Sequence, residues 1–206
     1  MILNVSEKMF YKYGYEATTF SKIAGKLDIT CGAITYHFKN KHFIVTNLID
    51  AYLKNLHEFV YDTLPNEGVN IYLHQSIVYI YLYRTVMSDE RNISIFYHKD
   101  QMALWENLKV DKIKEIYVSI AKDFHKPFSD EDLYMCAIMD LGIRKRLYSE
   151  FINGNEMLTN IDKYCHYHIY TMGILSRIDM MTVSQNIELA FEFANQNEPP
   201  TSDLFH

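Results

Sequence analysis

The stretch Thr18–Lys41, TTFSKIAGKLDITCGAITYHFKNK, decides the fold of the N-terminal part of the chain. The spacing of its apolar residues predicts two short helices, over 20–27 and 31–38, joined by a tight turn. Thr19 precedes the first helix and Thr30 precedes the second, where a hydroxyl accepts a hydrogen bond from a free backbone N–H group. The apolar positions on the inner faces are Phe20, Ile23, Ala24, Leu27, Ile34 and Phe38.

The second of these helices has an unusual outer face. It carries small, hydroxyl and aromatic side chains, whereas a helix that faces only water normally carries Lys and Glu. Small side chains allow a helix to lie close to the bases of the DNA major groove. The pattern therefore predicts a helix-turn-helix whose second helix reads DNA. The outward residues are Cys31, Ala33, Thr35 and Tyr36.

These residues carry a family resemblance. The run Gly14–Lys41 resembles the DNA-binding domain of the TetR family of transcriptional repressors, and a helix over 2–13 extends the likeness to the first 45 residues. Two positions depart from the family pattern: Thr35 stands where a Tyr usually contacts the DNA backbone, and Cys31 stands where a basic residue or Pro is common. The matching elements are Gly14-Tyr15, Thr18-Thr19, Ile23-Ala24, Gly32-Ala33-Ile34, Tyr36-His37-Phe38, and Lys39 with Lys41.

The resemblance implies an all-α protein with two domains. A three-helix DNA-binding domain over 1–45 is expected to precede a helical effector-binding and dimerisation domain over 46–198, and residues 199–206 are expected to form a disordered tail. It also implies the residues that contact DNA. Those expected at or near bases and backbone are Thr30, Cys31, Gly32, Ala33, Tyr36 and His37, and those expected to hold phosphates are Thr19, Thr35, Lys39 and Lys41.

The charge distribution is compatible with DNA binding although the formal net charge of the chain is −6. Residues 1–53 carry six Lys and four acidic residues, a charge of +2, and the rest of the chain carries −8. Attraction to phosphate depends on the local surface, so a mildly basic head on an acidic body suits a DNA-binding protein.

The remainder of the chain shows helical spacing and no strand signature, with helices predicted over 41–64, 70–87, 89–107, 109–124, 129–152, 156–178 and 183–196. The segment 70–87 is apolar on nearly every face, which predicts a helix buried on all sides. By resemblance such a helix borders an effector cavity for an apolar or aromatic molecule, although core packing explains the same side chains. The candidate effector residues are Tyr79, Tyr83, Arg84, Met87, His98, Trp105, Met139 and Arg144.

The last two helices each carry an apolar stripe. Helix-turn-helix repressors read two half-sites related by a two-fold axis, so a homodimer is expected. The resemblance places its contacts on these helices, and the alternative is that both stripes face the core. The interface residues expected are Ile161, Cys165, His168, Met172, Leu175, Ile187 and Phe191.

Other functional classes have little support in the sequence. Cys165 and His168 share a helix face, but two ligands do not complete a tetrahedral metal site, so neither a metal nor another cofactor is expected. No phosphate-binding glycine loop, nucleophile elbow or paired-carboxylate motif indicates an enzyme. Three scattered cysteines suit reduced thiols in the cytoplasm, and no apolar run is long enough to span a membrane.

The sequence is thus interpreted as a one-component transcriptional repressor. It would bind a palindromic double-stranded DNA operator as a dimer and release it when an unknown small molecule binds. The alternative is an all-helical binding or enzymatic protein that retains a non-functional helix-turn-helix.

Overall fold

The computed structural model describes residues 1–64, 69–97, 110–158 and 160–200. Within these ranges the secondary structure is helical, without strands, as the sequence predicts. His98 and Trp105, which were expected in the effector site, lie outside the described residues, as do residues 201–206 of the predicted tail. No helix in the described part is long and apolar enough to cross a membrane.

Ten α-helices are described. They are α1 Ile2–Tyr13, α2 Phe20–Leu27, α3 Cys31–His37, α4 Lys41–Thr63, α5 Ile71–Met87, α6 Glu90–Phe96, α7 Val110–Asp123, α8 Asp130–Ile152, α9 Ile161–Leu175 and α10 Met180–Gln196, with a 3-10 turn at Glu156–Leu158 before α9.

Helix boundaries follow the predicted caps in most places. Thr19 accepts a hydrogen bond from the Lys22 amide, and Thr30 accepts one from the Ala33 amide. The last two helices begin elsewhere than predicted, because Asn160 caps α9 and Asp179 caps α10. An Asx cap satisfies amide groups that would otherwise lack partners in the first turn, so it fixes where the helix begins.

The N-terminal domain packs around a small apolar core. Phe10 of α1, Ile23 of α2, Ile34 of α3 and Ile44 of α4 are completely buried and belong to one continuous cluster. Thr18 is also buried, and its hydroxyl donates to the carbonyl groups of Met9 and Gly14, which secures the loop before α2. This core holds α3 against α1, α2 and α4.

Helix α5 forms the centre of the body, as its uniformly apolar sequence predicts. Most of its residues are buried, and it packs against α4, α6, α7, α9 and α10. The hydroxyl of Tyr72, whose ring is fully buried, donates to the carbonyl oxygen of Ile169 on α9. Burying a tyrosine ring is favourable when its hydroxyl finds such a partner.

Four of the apolar residues expected at the dimer interface lie in the core of the chain instead. Cys165, His168, Met172 and Ile187 are buried within the chain's own core, so they are not available to a second copy. Periodicity shows that one face of a helix is apolar but does not show which neighbour covers it, and here α5 and α8 cover the stripe of α9. These four residues face the core, and the place of the dimer interface stays a prediction.

A matched pair of helical glycines tests this packing. A Cβ added at Gly173 of α9 would lie 2.6 Å from Val183 Cγ2 and 2.9 Å from the Tyr72 hydroxyl, whereas one at Gly142 of α8 would meet no atom within 4 Å. Gly173→Ala should lower the free energy of unfolding by about 1–3 kcal/mol through overpacking. Gly142→Ala should raise it by about 0.5–1 kcal/mol, because alanine favours helix. Denaturant unfolding measures both, and equal effects would contradict the close approach of α9 to α5 and α10.

Candidate nucleic-acid interface and ligand cavity

Helix α3 presents its outer face to solvent. Only Ile34 is buried in it, and Tyr36 is 86% exposed. The hydroxyl of Thr35 donates to the Gly32 carbonyl at 3.1 Å, which leaves its oxygen available as an acceptor and turns its proton toward the helix. The exposed residues expected to contact DNA near this helix are Thr30, Cys31, Gly32, Ala33, Thr35, Tyr36, His37 and Lys39.

Lys41 has a different setting from Lys39. Its ammonium donates to the Tyr15 carbonyl at 2.5 Å and lies 4.0 Å from the centroid of the Tyr15 ring. The Tyr15 hydroxyl in turn bonds to the His42 ring. Lys41 therefore fixes the loop between α1 and α2 onto α4, and its phosphate contact stays a prediction.

Sequence reasoning omitted a group of lysines on the first two helices. A groove between α1 and α2 is lined by Lys8, Lys12, Lys22 and Lys26. The count of lysines in residues 1–53 indicated a basic surface there. The helix-turn-helix motif, however, predicts DNA contacts mainly from α3. This groove makes a second basic surface on the domain.

A cavity of about 430 Å³ lies in the helical body. Of the predicted effector residues it includes Tyr83 and Arg144, while Tyr79 lines a smaller neighbouring cavity of about 100 Å³ that also includes Arg144. The lining residues that the prediction missed are Leu82, Phe96, Tyr97, Val110, Tyr134, Ile138, Leu141, Gly142 and Lys145. One face of α8 carries four of these residues, namely Tyr134, Ile138, Leu141 and Lys145. Their helical spacing next to Arg144 could have predicted that they line the same cavity.

The other described effector candidates lie away from this cavity. Arg84 ion-pairs with Asp162 at 2.8 Å and donates to the Asn195 side chain at 2.9 Å, so it ties α5 to α9 and α10. Met87 is buried in the core, and Met139 is 42% exposed on the surface of α8. None of these three residues is in the described lining of the cavity, and their contact with an effector stays a prediction.

A buried polar cluster centred on Asp140 supports the cavity wall. Arg144 contacts Asp140 through Nε and Nη2 and donates from Nη2 to the Tyr79 hydroxyl at 2.6 Å. Tyr117 donates to Asp140 Oδ2 at 3.0 Å, and His168 Nε2 lies 3.0 Å from Oδ1. Both carboxylate oxygens thus have two partners each.

The charges in this cluster follow from its burial and its pairing. Burial raises the pKa of the Asp140 carboxyl, but Arg144 and His168 outweigh it, so this pKa lies well below its ordinary value. Burial and the Arg144 charge lower the pKa of His168, which keeps the imidazole neutral. An ionised carboxylate only accepts, so His168 donates from Nε2, and its Nδ1 has no partner among the described residues.

The described residues hold no group of three or more His, Cys, Asp or Glu arranged to bind a metal ion. Cys165 and His168 are both buried in the core. Cys31 is exposed on α3, and none of the three cysteines forms a disulfide.

Residues 2–46 match the family model described as bacterial regulatory proteins, tetR family. The chain is 42% identical over 57 residues to the HTH-type transcriptional regulator TtgR of Pseudomonas putida, a match that covers 28% of this chain and 25% of TtgR. It is 24% identical over 117 residues to the uncharacterized HTH-type transcriptional regulator YerO of Bacillus subtilis, covering 49% of this chain and 40% of YerO. The chain therefore spans well under half the length of these curated relatives.

The crystal structure of RolR without ligand has the same fold over almost the whole chain. It superimposes with a TM-score of 0.57 at 10% sequence identity and covers 98% of each chain. At this identity the likeness concerns the fold alone. It extends the similarity from the N-terminal domain to the helical body.

Removing the buried charge of Asp140 tests the polar cluster. Asp140→Asn leaves the Arg144 guanidinium without its counter-charge and should lower the free energy of unfolding by about 3–5 kcal/mol. Glu58→Gln breaks the exposed Lys54–Glu58 pair, also at i,i+4 spacing, and should cost at most about 0.5 kcal/mol. Chemical denaturation of both variants gives the comparison, and similar small losses would mean that the Asp140 pair is solvated.

Proposed function

Because residues 2–46 match the model of the tetR family of bacterial regulatory proteins, we propose that the chain is a ligand-responsive repressor that binds a palindromic operator as a dimer. The observation that carries the proposal is the exposed α3, which displays small and aromatic side chains instead of the charged residues of a solvated helix. Small residues such as Gly32 and Ala33 let the helix approach base edges closely, and Tyr36 supplies a large contact at its outer face. The proposal gives the chain no catalytic step.

The proposed dimer uses the outer faces of α9 and α10. Tyr167 and Ile174 of α9 are each 47% exposed, and Leu189 of α10 is 50% exposed. A groove between the two helices lies beside these residues, and its more accessible lining comes from His166, Tyr170, Ser184, Glu188 and Phe191. Exposed apolar surface that is continuous over two helices is typical of a protein interface. A two-fold pairing here would present two copies of α3 to two half-sites.

The proposed effector acts from the 430 Å³ cavity. Phe96 of α6 lines this cavity, and Arg91 of the same short helix lies 5.2 Å from the ring centroid of Tyr11 on α1. A ligand that displaces α6 would therefore move its contact with the DNA-binding domain. Such a ligand lowers operator affinity if it binds better to the dimer whose α3 helices do not match the half-site spacing.

The decisive experiment is selection of bound sequences from a random DNA pool by the purified protein at near-physiological salt. We expect enrichment of a palindromic sequence. Binding without enrichment, which disappears as salt rises, would reject sequence reading and favour an all-helical protein of another function that retains the helix-turn-helix.

Lys39 is expected to contact a phosphate of the operator. Lys39→Ala should weaken binding to operator and random DNA alike and should reduce the slope of log affinity against log salt by about 0.9, because one fewer counterion is released. Lys54→Ala is the matched control, since Lys54 is 74% exposed in its side chain but lies farther along α4. A slope unchanged in Lys39→Ala, or changed equally in Lys54→Ala, would remove Lys39 from the interface.

Ile174 tests the proposed dimer surface. Ile174→Glu should convert the dimer to monomer in light-scattering chromatography, because the interface would then bury a carboxylate without a partner. Ile152→Glu is the control, since Ile152 is comparably exposed at 51% but lies at the end of α8. If only Ile152→Glu converted the dimer to monomer, the interface would lie at α8 instead of at α9 and α10.

A further inference from the structure

Tyr83 presents an unused hydroxyl to the cavity. The residue is 2% exposed and lines the 430 Å³ space. The ring packs edge-on against Tyr164 and His168, while the hydroxyl makes no hydrogen bond with the residues that the structure describes. Burial raises the pKa of Tyr83 well above its ordinary value, so the group stays protonated. The hydroxyl oxygen is accessible from the cavity, so a ligand acceptor can reach the hydroxyl proton.

Arg144 offers a second donor to the same space. Its Nε and Nη2 atoms are held by Asp140 and Tyr79, and its Nη1 atom makes no hydrogen bond with the described residues. These bonds fix the orientation of the guanidinium, which lies 4.4 Å from the Tyr79 ring centroid. A donor that is already held in place loses little entropy when it binds a ligand.

The charged side chains among the described lining residues of the cavity are basic. Arg144 and Lys145 are the charged residues in the described lining, and no acidic side chain is among them. Asp140 lies behind Arg144 and is not part of the lining, and its oxygens are fully occupied by Arg144, His168 and Tyr117. The charges of Arg144 and Asp140 balance each other, because His168 is neutral, so Arg144 acts on a ligand through the free donor at Nη1 and not through a net charge of the cluster.

The other walls of the cavity are apolar and aromatic. They come from Leu82, Phe96, Tyr97, Val110, Tyr134, Ile138 and Leu141. A volume of about 430 Å³ lies at the lower end of the range for small-molecule sites. The space therefore suits one compact apolar group with a polar end at Tyr83 and Arg144.

We propose that the cavity takes a small carboxylate with an aromatic or aliphatic body, whose two oxygens accept hydrogen bonds from the Tyr83 hydroxyl and Arg144 Nη1. This inference rests on the proposed effector role of the cavity and specifies the chemical class of the effector. The carboxylate is preferred to a neutral acceptor because it makes the hydrogen bond from the neutral Tyr83 hydroxyl charge-assisted, and such bonds are roughly twice as strong as those between neutral groups.

The test measures binding of 2-naphthoate, 4-phenylbutyrate and decanoate to the full chain by calorimetry, each beside its primary amide. We expect at least one carboxylate to bind at least tenfold more tightly than its amide. Tyr83→Phe keeps the ring and removes only the unpaired hydroxyl, so it should fold normally and weaken that carboxylate by about tenfold. Gly142→Leu places a side chain in the lining and should weaken both the acid and the amide.

Three results would overturn the inference: no carboxylate binding in the panel, amides that bind as tightly as the acids, or an unchanged carboxylate affinity in Tyr83→Phe. The control variant Tyr134→Phe changes a hydroxyl in the same lining, where Tyr134 is 45% exposed, and should leave the preference for the acid intact. Selection of DNA sequences by the same preparation is scored separately. A palindrome without carboxylate binding rejects only the effector class, whereas carboxylate binding without a palindrome rejects the repressor function.

Discussion

The body of this protein depends on the burial of α5. A helix that is apolar on every face has no side that can lie against water, so it must be surrounded. Helices α4, α6, α7, α9 and α10 provide this enclosure. Tyr72, Tyr81 and Tyr83 are almost completely buried in it, so the enclosing helices must also accommodate large rings and their hydroxyl groups.

The helices that surround α5 also connect the N-terminal domain to the cavity. Helix α4 contributes Ile44 to the core of the N-terminal domain and Leu56 and Val60 to the core of the body. It is one uninterrupted helix of 23 residues, so its two halves move together. Further contacts tie the two parts: Tyr52 of α4 bonds to Thr85 of α5 at 2.9 Å, and Lys112 of α7 bonds to Asp50 of α4 at 2.8 Å. A change at the cavity therefore has several physical routes to α3.

The Asp140 cluster shows why a buried site is harder to predict than an exposed helix such as α3. In sequence, Asp140 and Arg144 look like an ordinary exposed pair at i,i+4 spacing. In the fold, α5 and α9 cover them and add Tyr79 and His168 from far along the chain. The carboxylate loses its water and gains three protein partners, which gives Arg144 a fixed place beside the cavity. Tyr79, Tyr117 and His168 lie on other helices, so the local spacing of residues along α8 does not predict these contacts.

The sequence by itself determined the helix-turn-helix, most helix boundaries and the central position of α5, because each of these follows from local spacing or a capping side chain. It also identified the exposed face of α3, since a helix that contributes only Ile34 to the core leaves its other residues outward. Only the tertiary structure decided which apolar stripes face inward: Cys165, His168 and Met172 belong to the core, and Tyr167 and Ile174 lie on the surface. The tertiary structure also showed that Arg84 forms an ion pair with Asp162 and that Lys41 donates a hydrogen bond to the Tyr15 carbonyl. These assignments depend on which helix packs beside which, and that is a property of long-range contacts that helical periodicity does not contain.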